Sequence, residues 1–219
     1  MITMNSFAQT PTDINSLPVN IVASNSDTSK PMILYVSGDG GWNKFTQLLT
    51  QGFATKGYPV VSLNSNKYFW KKKTPEQSAA DISALVRNYQ KQWKRNKILL
   101  IGYSFGADVL PFAYYHLPKD ITSQVENITL LSPSSTTDFE IHLMVMLGNK
   151  GEGQSVPAAI NKIIDKPITI IFGEGENDYK NGQLTGKNLT IQTLPGGHHY
   201  DGNETSVVNT IIQHMPKYK

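Results

Sequence analysis

Seven short apolar runs are spaced along the chain, at 18–23 (PVNIVA), 32–37 (MILYVS), 58–63 (YPVVSL), 97–102 (KILLIG), 127–131 (NITLL), 167–172 (PITIIF) and 188–194 (NLTIQTL). Several are solid aliphatic stretches with no polar alternation. Strands read this way when both of their faces are covered, as in a parallel sheet flanked by helices. Helical patterns fall between them. Residues 42–56 follow a glycine-rich turn, residues 105–116 follow the fourth run, and residues 204–214 close the chain. The clearest helix start is Thr74-Pro75-Glu76-Gln77, with an N-cap, a proline at the first helical position and a glutamine to complete a capping box. After it, Ile82, Leu85, Val86, Tyr89 and Trp93 recur at helical spacing and form one apolar face. Strand and helix thus alternate, which predicts a doubly wound, mostly parallel α/β sheet with helices on both faces. The predicted organisation is a disordered leader over 1–17 and one α/β domain over 18–219. There is no internal repeat and no linker.

Composition narrows the chemistry. The chain has 219 residues and a net charge of +3, too weakly basic to point to nucleic acid, and none is expected as a partner. No apolar run approaches the length of a membrane span. There is no cysteine, so disulfides, thiolate metal sites and a cysteine nucleophile are ruled out. At the N-terminus, Ser6-Phe7-Ala8 ahead of Gln9 sets small residues where a signal peptidase cuts. The start reads partly as an added leader and partly as the end of a secretory signal, and the expectation is an exported protein.

The fourth apolar run ends in Gly102-Tyr103-Ser104-Phe105-Gly106. A G-x-S-x-G sequence between a buried strand and a helix sets its serine on a sharp turn, with the hydroxyl raised at the carboxyl edge of the sheet. The helix N-terminus behind it offers free N–H groups and the positive end of a dipole. Such a nucleophile needs an acid and a histidine later in the chain, in that order. PITIIFG is followed by EGENDY, and NLTIQTLPG by GHHYDG, each just after a strand. Among the acids, the spacing past Gly173 favours Glu176, with Asp178 as alternative and Glu174 behind both. Of the adjacent His198 and His199, the Pro-Gly-x-x-His spacing and the following aromatic favour His199. His116, His142 and His214 read as structural. The two adjacent histidines with nearby acids also admit a metal, but no third ligand is suitably spaced; no metal and no cofactor are expected.

An acyl-transfer site also needs oxyanion donors. The Phe105 amide is one. The loop Gly38-Asp39-Gly40, after the second strand, is the candidate for the other. A carboxylate at Asp39 would oppose the developing negative charge unless a cationic substrate group met it. Asp108, one turn after Ser104, is a second candidate for that cation, or else a holder of the Asp39 loop. The segment 67–77, KYFWKKKTPEQ, sets Lys67, Tyr68 and Trp70 among further lysines, a combination suited to a membrane interface or an anionic headgroup.

These stretches are specific enough to resemble a family. SGDGGW (37–42), YFWKKKTPEQSAADI (68–82), IGYSFGADVLPF (101–112), LLSPSSTTDFEIH (130–142) and LPGGHHYDG (194–202) are similar to the VirJ/AcvB family of bacterial virulence-associated proteins. The resemblance runs from about residue 32 to the C-terminus. It departs from the family in lacking cysteines near the acid loop. It implies an α/β-hydrolase-like fold with a minimal lid and a periplasmic location. For AcvB-like members it also implies hydrolysis of the aminoacyl ester of aminoacylated phosphatidylglycerol, such as lysyl-phosphatidylglycerol. Implied partners are that aminoacyl-phospholipid, the outer face of the inner membrane as a peripheral contact, and secretion-system proteins. A non-catalytic binding or chaperone factor linked to type IV secretion and a general carboxylesterase stand as alternatives.

Overall fold

The structure is a computed structural model and describes residues 12–24, 28–141, 153–176, 179 and 182–218. The chain is packed from the first of these onward. Asp13 caps a 3-10 turn over Ile14–Ser16, and Ile14 and Leu17 lie against the core. The expectation of a disordered stretch through residue 17 is therefore corrected at its end: two apolar side chains in that stretch have a core to bury against.

Strands β1 (Val19–Val22), β2 (Met32–Val36), β3 (Val60–Leu63), β4 (Ile98–Tyr103) and β5 (Val125–Leu131) fall on the first five apolar runs. A ribbon of β6 (Thr136–Thr137) and β7 (Gln154–Ser155) follows, then β8 (Ile168–Gly173) and β9 (Leu189–Leu194). The main sheet has the order β1-β3-β2-β4-β5-β8-β9; β1 is antiparallel to β3, and every other pairing is parallel. Strands β2, β3, β4 and β8 are buried at every position, as their solid apolar runs require. Alternate residues of one strand serve opposite faces. Met32, Leu34 and Val36 join one core with Leu100 and Ile170, while Ile33 and Tyr35 join the other with Leu99, Ile101 and Ile171.

Helices cover both faces. On the Ile33/Tyr35 face lie α1 (Lys44–Thr55), through Phe45, Leu49 and Phe53, and the C-terminal α7 (Glu204–Gln213), through Val207, Val208 and Ile211. After the short α2 (Ser65–Tyr68) comes α3 (Pro75–Trp93), which packs Ile82, Leu85 and Val86 on the opposite face beside α4 (Phe105–Tyr115). The capping box at its start is formed: Gln77 N–H donates to Thr74 Oγ1 at 3.2 Å, and Thr74 N–H to Gln77 Oε1 at 3.0 Å. After the short α5 (Lys119–Thr122) comes α6 (Val156–Lys162), which the periodicity does not indicate. Its signal is local: Ser155 accepts the Ala158 N–H at 3.3 Å, and a proline sits in the first turn.

The parallel registers align the carboxyl ends of five strands. Val36 pairs with Gly102, Tyr103 with Leu131, and Gly173 with Leu194. The segments that follow β2, β4, β5, β8 and β9 therefore meet along one edge of the sheet, where such folds bind ligands.

Candidate active site

Ser104 occupies the sharpest turn at that edge. Its backbone has φ 50° and ψ −121°, a region that costs a non-glycine residue on the order of 1–3 kcal/mol. The surroundings hold it there. Its N–H continues the ladder to the Leu131 carbonyl at 2.8 Å, and its carbonyl accepts from Ala107 and Asp108 at the start of α4. The turn also needs Gly106, because a Cβ there would collide with the Val36 and Ser37 carbonyls.

His198 and Glu176 complete a chain of hydrogen bonds with Ser104. His198 Nε2 lies 2.9 Å from Ser104 Oγ, and its Nδ1 is hydrogen-bonded to Glu176 Oε1. The arrangement suits the tautomer with the proton on Nδ1, which leaves Nε2 to accept from the serine. The other oxygen of Glu176 accepts from Ser132 Oγ at 2.7 Å and from the Gly173 N–H at 3.1 Å. Partial burial works against its charge, but these hydrogen bonds and the neighbouring imidazole outweigh it and hold the carboxyl below its usual pKa. Ser132 is itself in a left-handed backbone conformation, φ 47°. Its Oγ lies 2.8 Å from the hydroxyl of buried Tyr200, which also reaches the Ile171 carbonyl at 2.9 Å.

The preference for His199 is thus corrected. Spacing cannot tell which of two neighbours turns inward, but a close backbone approach does. Gly173 ends β8 pressed directly on the Gly197 carbonyl, so closely that no Cβ would fit. The residue after Gly197 arrives beside Glu176, three positions beyond Gly173. His199 is exposed and turns the other way, with Nδ1 2.7 Å from the Tyr103 hydroxyl and its ring beside Phe45. Tyr103 also donates to the His198 carbonyl at 3.0 Å, so it grips the backbone of both histidines' turn. Burial, then the charges of Glu176 and Asp39, keep its hydroxyl well above the usual tyrosine range. Asp178 and His142 lie outside the described residues. His116 faces Glu76 at 3.4 Å, and His214 bonds the Thr210 carbonyl at 2.8 Å.

The oxyanion candidates divide. The Phe105 amide opens α4, among the N–H groups that a helix leaves without an internal acceptor. Gly38 packs on the serine: a Cβ at Gly38 would stand 3.3 Å from Ser104 Cβ. Gly40 is corrected, because its N–H already donates to Asp39 Oδ1 at 2.9 Å. Among the described residues the amides of Gly38 and Asp39 have no acceptor. The loop is fixed from behind: Ser65 Oγ donates to the Ser37 carbonyl at 2.6 Å, the Ser65 N–H to Ser37 Oγ at 3.0 Å, and Asn66 Nδ2 to the Asp39 carbonyl at 2.8 Å. The Asp39 carboxylate is exposed, and among the described residues no cation pairs with it.

Two residues expected at the substrate surface are inside the protein. Asp108 is 5% exposed and accepts the Ser134 N–H at 2.6 Å, so it holds the segment after β5 and not the Asp39 loop. Burial, aided by the nearby Asp39 charge, pushes its pKa up to about 8 against the Ser134 hydrogen bond, so it is mostly protonated at neutral pH. Tyr68 is buried too, its hydroxyl donating to Asp81 Oδ2 at 2.5 Å. Lys67 and Trp70 are exposed. Ser132, Tyr103 and Tyr200 were not anticipated. A serine at a strand end, in LLSPSS, is the available signal for the first; Tyr103 lies inside the serine motif and Tyr200 is the aromatic after His199, but the roles of both come from long-range contacts. A cleft of about 210 Å³ opens between the Ser132–Ser134 segment and the Gly175–Glu176 turn, with Phe172 and His198 in its wall.

This geometry and strand order define an α/β-hydrolase fold. Est1E from Butyrivibrio proteoclasticus, solved with ferulic acid bound, superimposes with a TM-score of 0.63 at 15% identity, over 90% of this chain and 95% of that one. A lipase-esterase related protein from Clostridium acetobutylicum gives 0.61 at 15% identity, over 90% and 99%. A thermophilic esterase from Thermogutta terrifontis gives 0.60 at 10% identity, over 90% and 91%. At these identities the likeness is one of fold. The sequence itself matches the model of the bacterial virulence protein VirJ family over residues 30–219, and the chain belongs to that family. Among curated proteins no match in sequence is found.

Proposed function

We propose that the protein is a periplasmic serine esterase that cleaves the aminoacyl ester of an aminoacylated phosphatidylglycerol, such as lysyl-phosphatidylglycerol. The observation that carries the hydrolase reading is the chain from Ser104 through His198 to Glu176, built on a strained turn at the carboxyl edge of the sheet. Two neighbours in fold, one named as lipase-esterase related and one as an esterase, support it. The ester and the compartment rest on the family resemblance, on the Ser6-Phe7-Ala8 trace and on Asp39, an exposed carboxylate free to meet a cationic aminoacyl group.

In this reading Ser104 Oγ attacks the aminoacyl carbonyl while His198 Nε2 takes its proton. Glu176 steadies the imidazolium. The Phe105 amide and an amide of the Gly38–Asp39 segment take up the negative charge on the carbonyl oxygen. His198 returns the proton to the departing glycerol oxygen and so releases phosphatidylglycerol. Water, deprotonated by the same imidazole, then attacks the aminoacyl-serine, and the free amino acid leaves as the hydroxyl proton returns to Ser104.

Purified protein incubated with lysyl-phosphatidylglycerol should release lysine, with loss of about 10³-fold or more on Ser104→Ala. A folded protein that releases none rejects the substrate. Equal release by Ser104→Ala rejects the mechanism. Faster turnover of a neutral short acyl ester than of the lysyl ester favours a general carboxylesterase.

A further inference from the structure

The turn between α2 and α3 has two unlike sides. Its inner side is anchored in the site. Phe69 is 1% exposed, and its ring lies edge-on to Phe105, the residue after Ser104, at 5.1 Å. The Phe69 carbonyl accepts from Ile141 N–H at 3.0 Å, and Lys73 N–H donates to the Phe139 carbonyl at 3.2 Å. Asn66, in α2, holds the Asp39 carbonyl. The same short segment therefore braces both backbone stretches that carry the oxyanion candidates.

Its outer side faces water with a composition that water alone does not favour. Trp70 is 57% exposed, and Lys67, Lys71 and Lys72 are exposed around it. Lys73 is turned back over the Tyr68 ring at 4.7 Å. Of the acids nearby, Asp81 accepts from Tyr68 and Thr12, Glu76 faces His116, and Asp138, beside Phe139, accepts the Glu140 N–H. None of the four lysines is in an ion pair among the described residues. An amphipathic indole ringed by unpaired ammonium groups matches the boundary of an anionic bilayer, where the ring sits at headgroup level and the lysines meet lipid phosphates.

We propose that this turn is a docking patch for an anionic phospholipid surface, with Trp70 entering the headgroup region and Lys67, Lys71 and Lys72 supplying the charge. Because the inner side braces the oxyanion segments, docking brings the mouth of the site against the membrane that carries the ester. The proposal deepens the lipid-ester reading and rests on it for its purpose, but its test does not use turnover.

The test is co-sedimentation of the intact protein with vesicles of phosphatidylcholine alone or mixed with an equal part of phosphatidylglycerol, with indole fluorescence read in parallel. Binding to the anionic vesicles only is expected, with a blue shift that Trp70→Phe removes. The double variant Lys71→Glu/Lys72→Glu should bind roughly tenfold or more weakly, with an unchanged melting temperature as its control for folding. Sedimentation with neither vesicle, equal sedimentation with both, or a double variant that binds like the wild type overturns the proposal. So does displacement by inorganic phosphate at matched ionic strength, which would assign a free-phosphate site. Lysine release from lysyl-phosphatidylglycerol is a separate readout: its failure sinks the lipid-ester reading and leaves the docking result standing.

Discussion

The two flanks of Ser104 are built in opposite ways. On the flank after β5, β8 and β9, charge is used up inside the protein. Glu176 is met by Ser132 Oγ, by the Gly173 N–H and by His198, and Ser132 is met in turn by Tyr200. On the flank after β2 and β3, the backbone is equally well tied, through Ser37, Ser65 and Asn66, but the Asp39 carboxylate is left in solvent. A carboxylate surrounded by donors orients a neighbour; an exposed one without a cation is available to a ligand. Under the proposed function the first flank is machinery and the second recognition, and substitutions on the two should fail differently.

The largest expected effect is on the first flank. His198→Ala should lower kcat about 10³-fold or more, whereas His199→Ala should cost less than about tenfold, read in steady-state turnover of one ester. Comparable losses would erase the distinction between the two histidines. Glu176→Gln should lower kcat by about 10²-fold or more with little change in KM, because it removes the charge that steadies the imidazolium. The sign of its pH dependence follows from its lowered pKa. Its carboxylate is charged, and its contribution to stability complete, at neutral pH; both are lost only as pH falls through that lowered value, beneath the usual glutamate range.

How much of this was legible beforehand differs between the flanks as well. The seven strands of the main sheet, four of the helices and the serine turn are written in local patterns: apolar runs, the Thr74 capping box, Gly-x-Ser-x-Gly; the β6–β7 ribbon is not. Glu176 was readable as an acid at a set distance past Gly173. His198 was not separable from His199, since the decision lies in the packing of Gly173 on Gly197, residues far apart in the chain. Asp108 and Tyr68 misled for the same reason. A polar residue next to a motif reads as a ligand contact until long-range packing shows it buried, with Ser134 and Asp81 as partners.

The recognition flank should respond in KM. Asp39→Asn should raise KM for a lysyl ester by about tenfold and leave a neutral acyl ester nearly unchanged. An equal effect on both would move Asp39 into the machinery. The smallest effect concerns Asp108, which braces the first flank from behind. Its raised pKa means that the folded chain keeps a proton which the unfolded chain releases between about pH 4 and pH 8. Wild-type stability therefore falls as pH rises through that window. Asp108→Asn keeps an acceptor for Ser134 and removes the titration. The variant's melting temperature should gain on the wild type by about 5 °C or more between pH 5 and pH 8; a gap that does not change with pH would show that Asp108 is already charged.

The most direct test of the central claim, that Ser104 is a nucleophile activated by His198, is labelling with a fluorophosphonate probe, with the modified peptide located by mass spectrometry. Labelling at Ser104 is expected in the wild type and in His199→Ala, and should be lost in Ser104→Ala and nearly lost in His198→Ala. A folded wild type that takes no label, or a His198→Ala variant labelled as fast as the wild type, would contradict it.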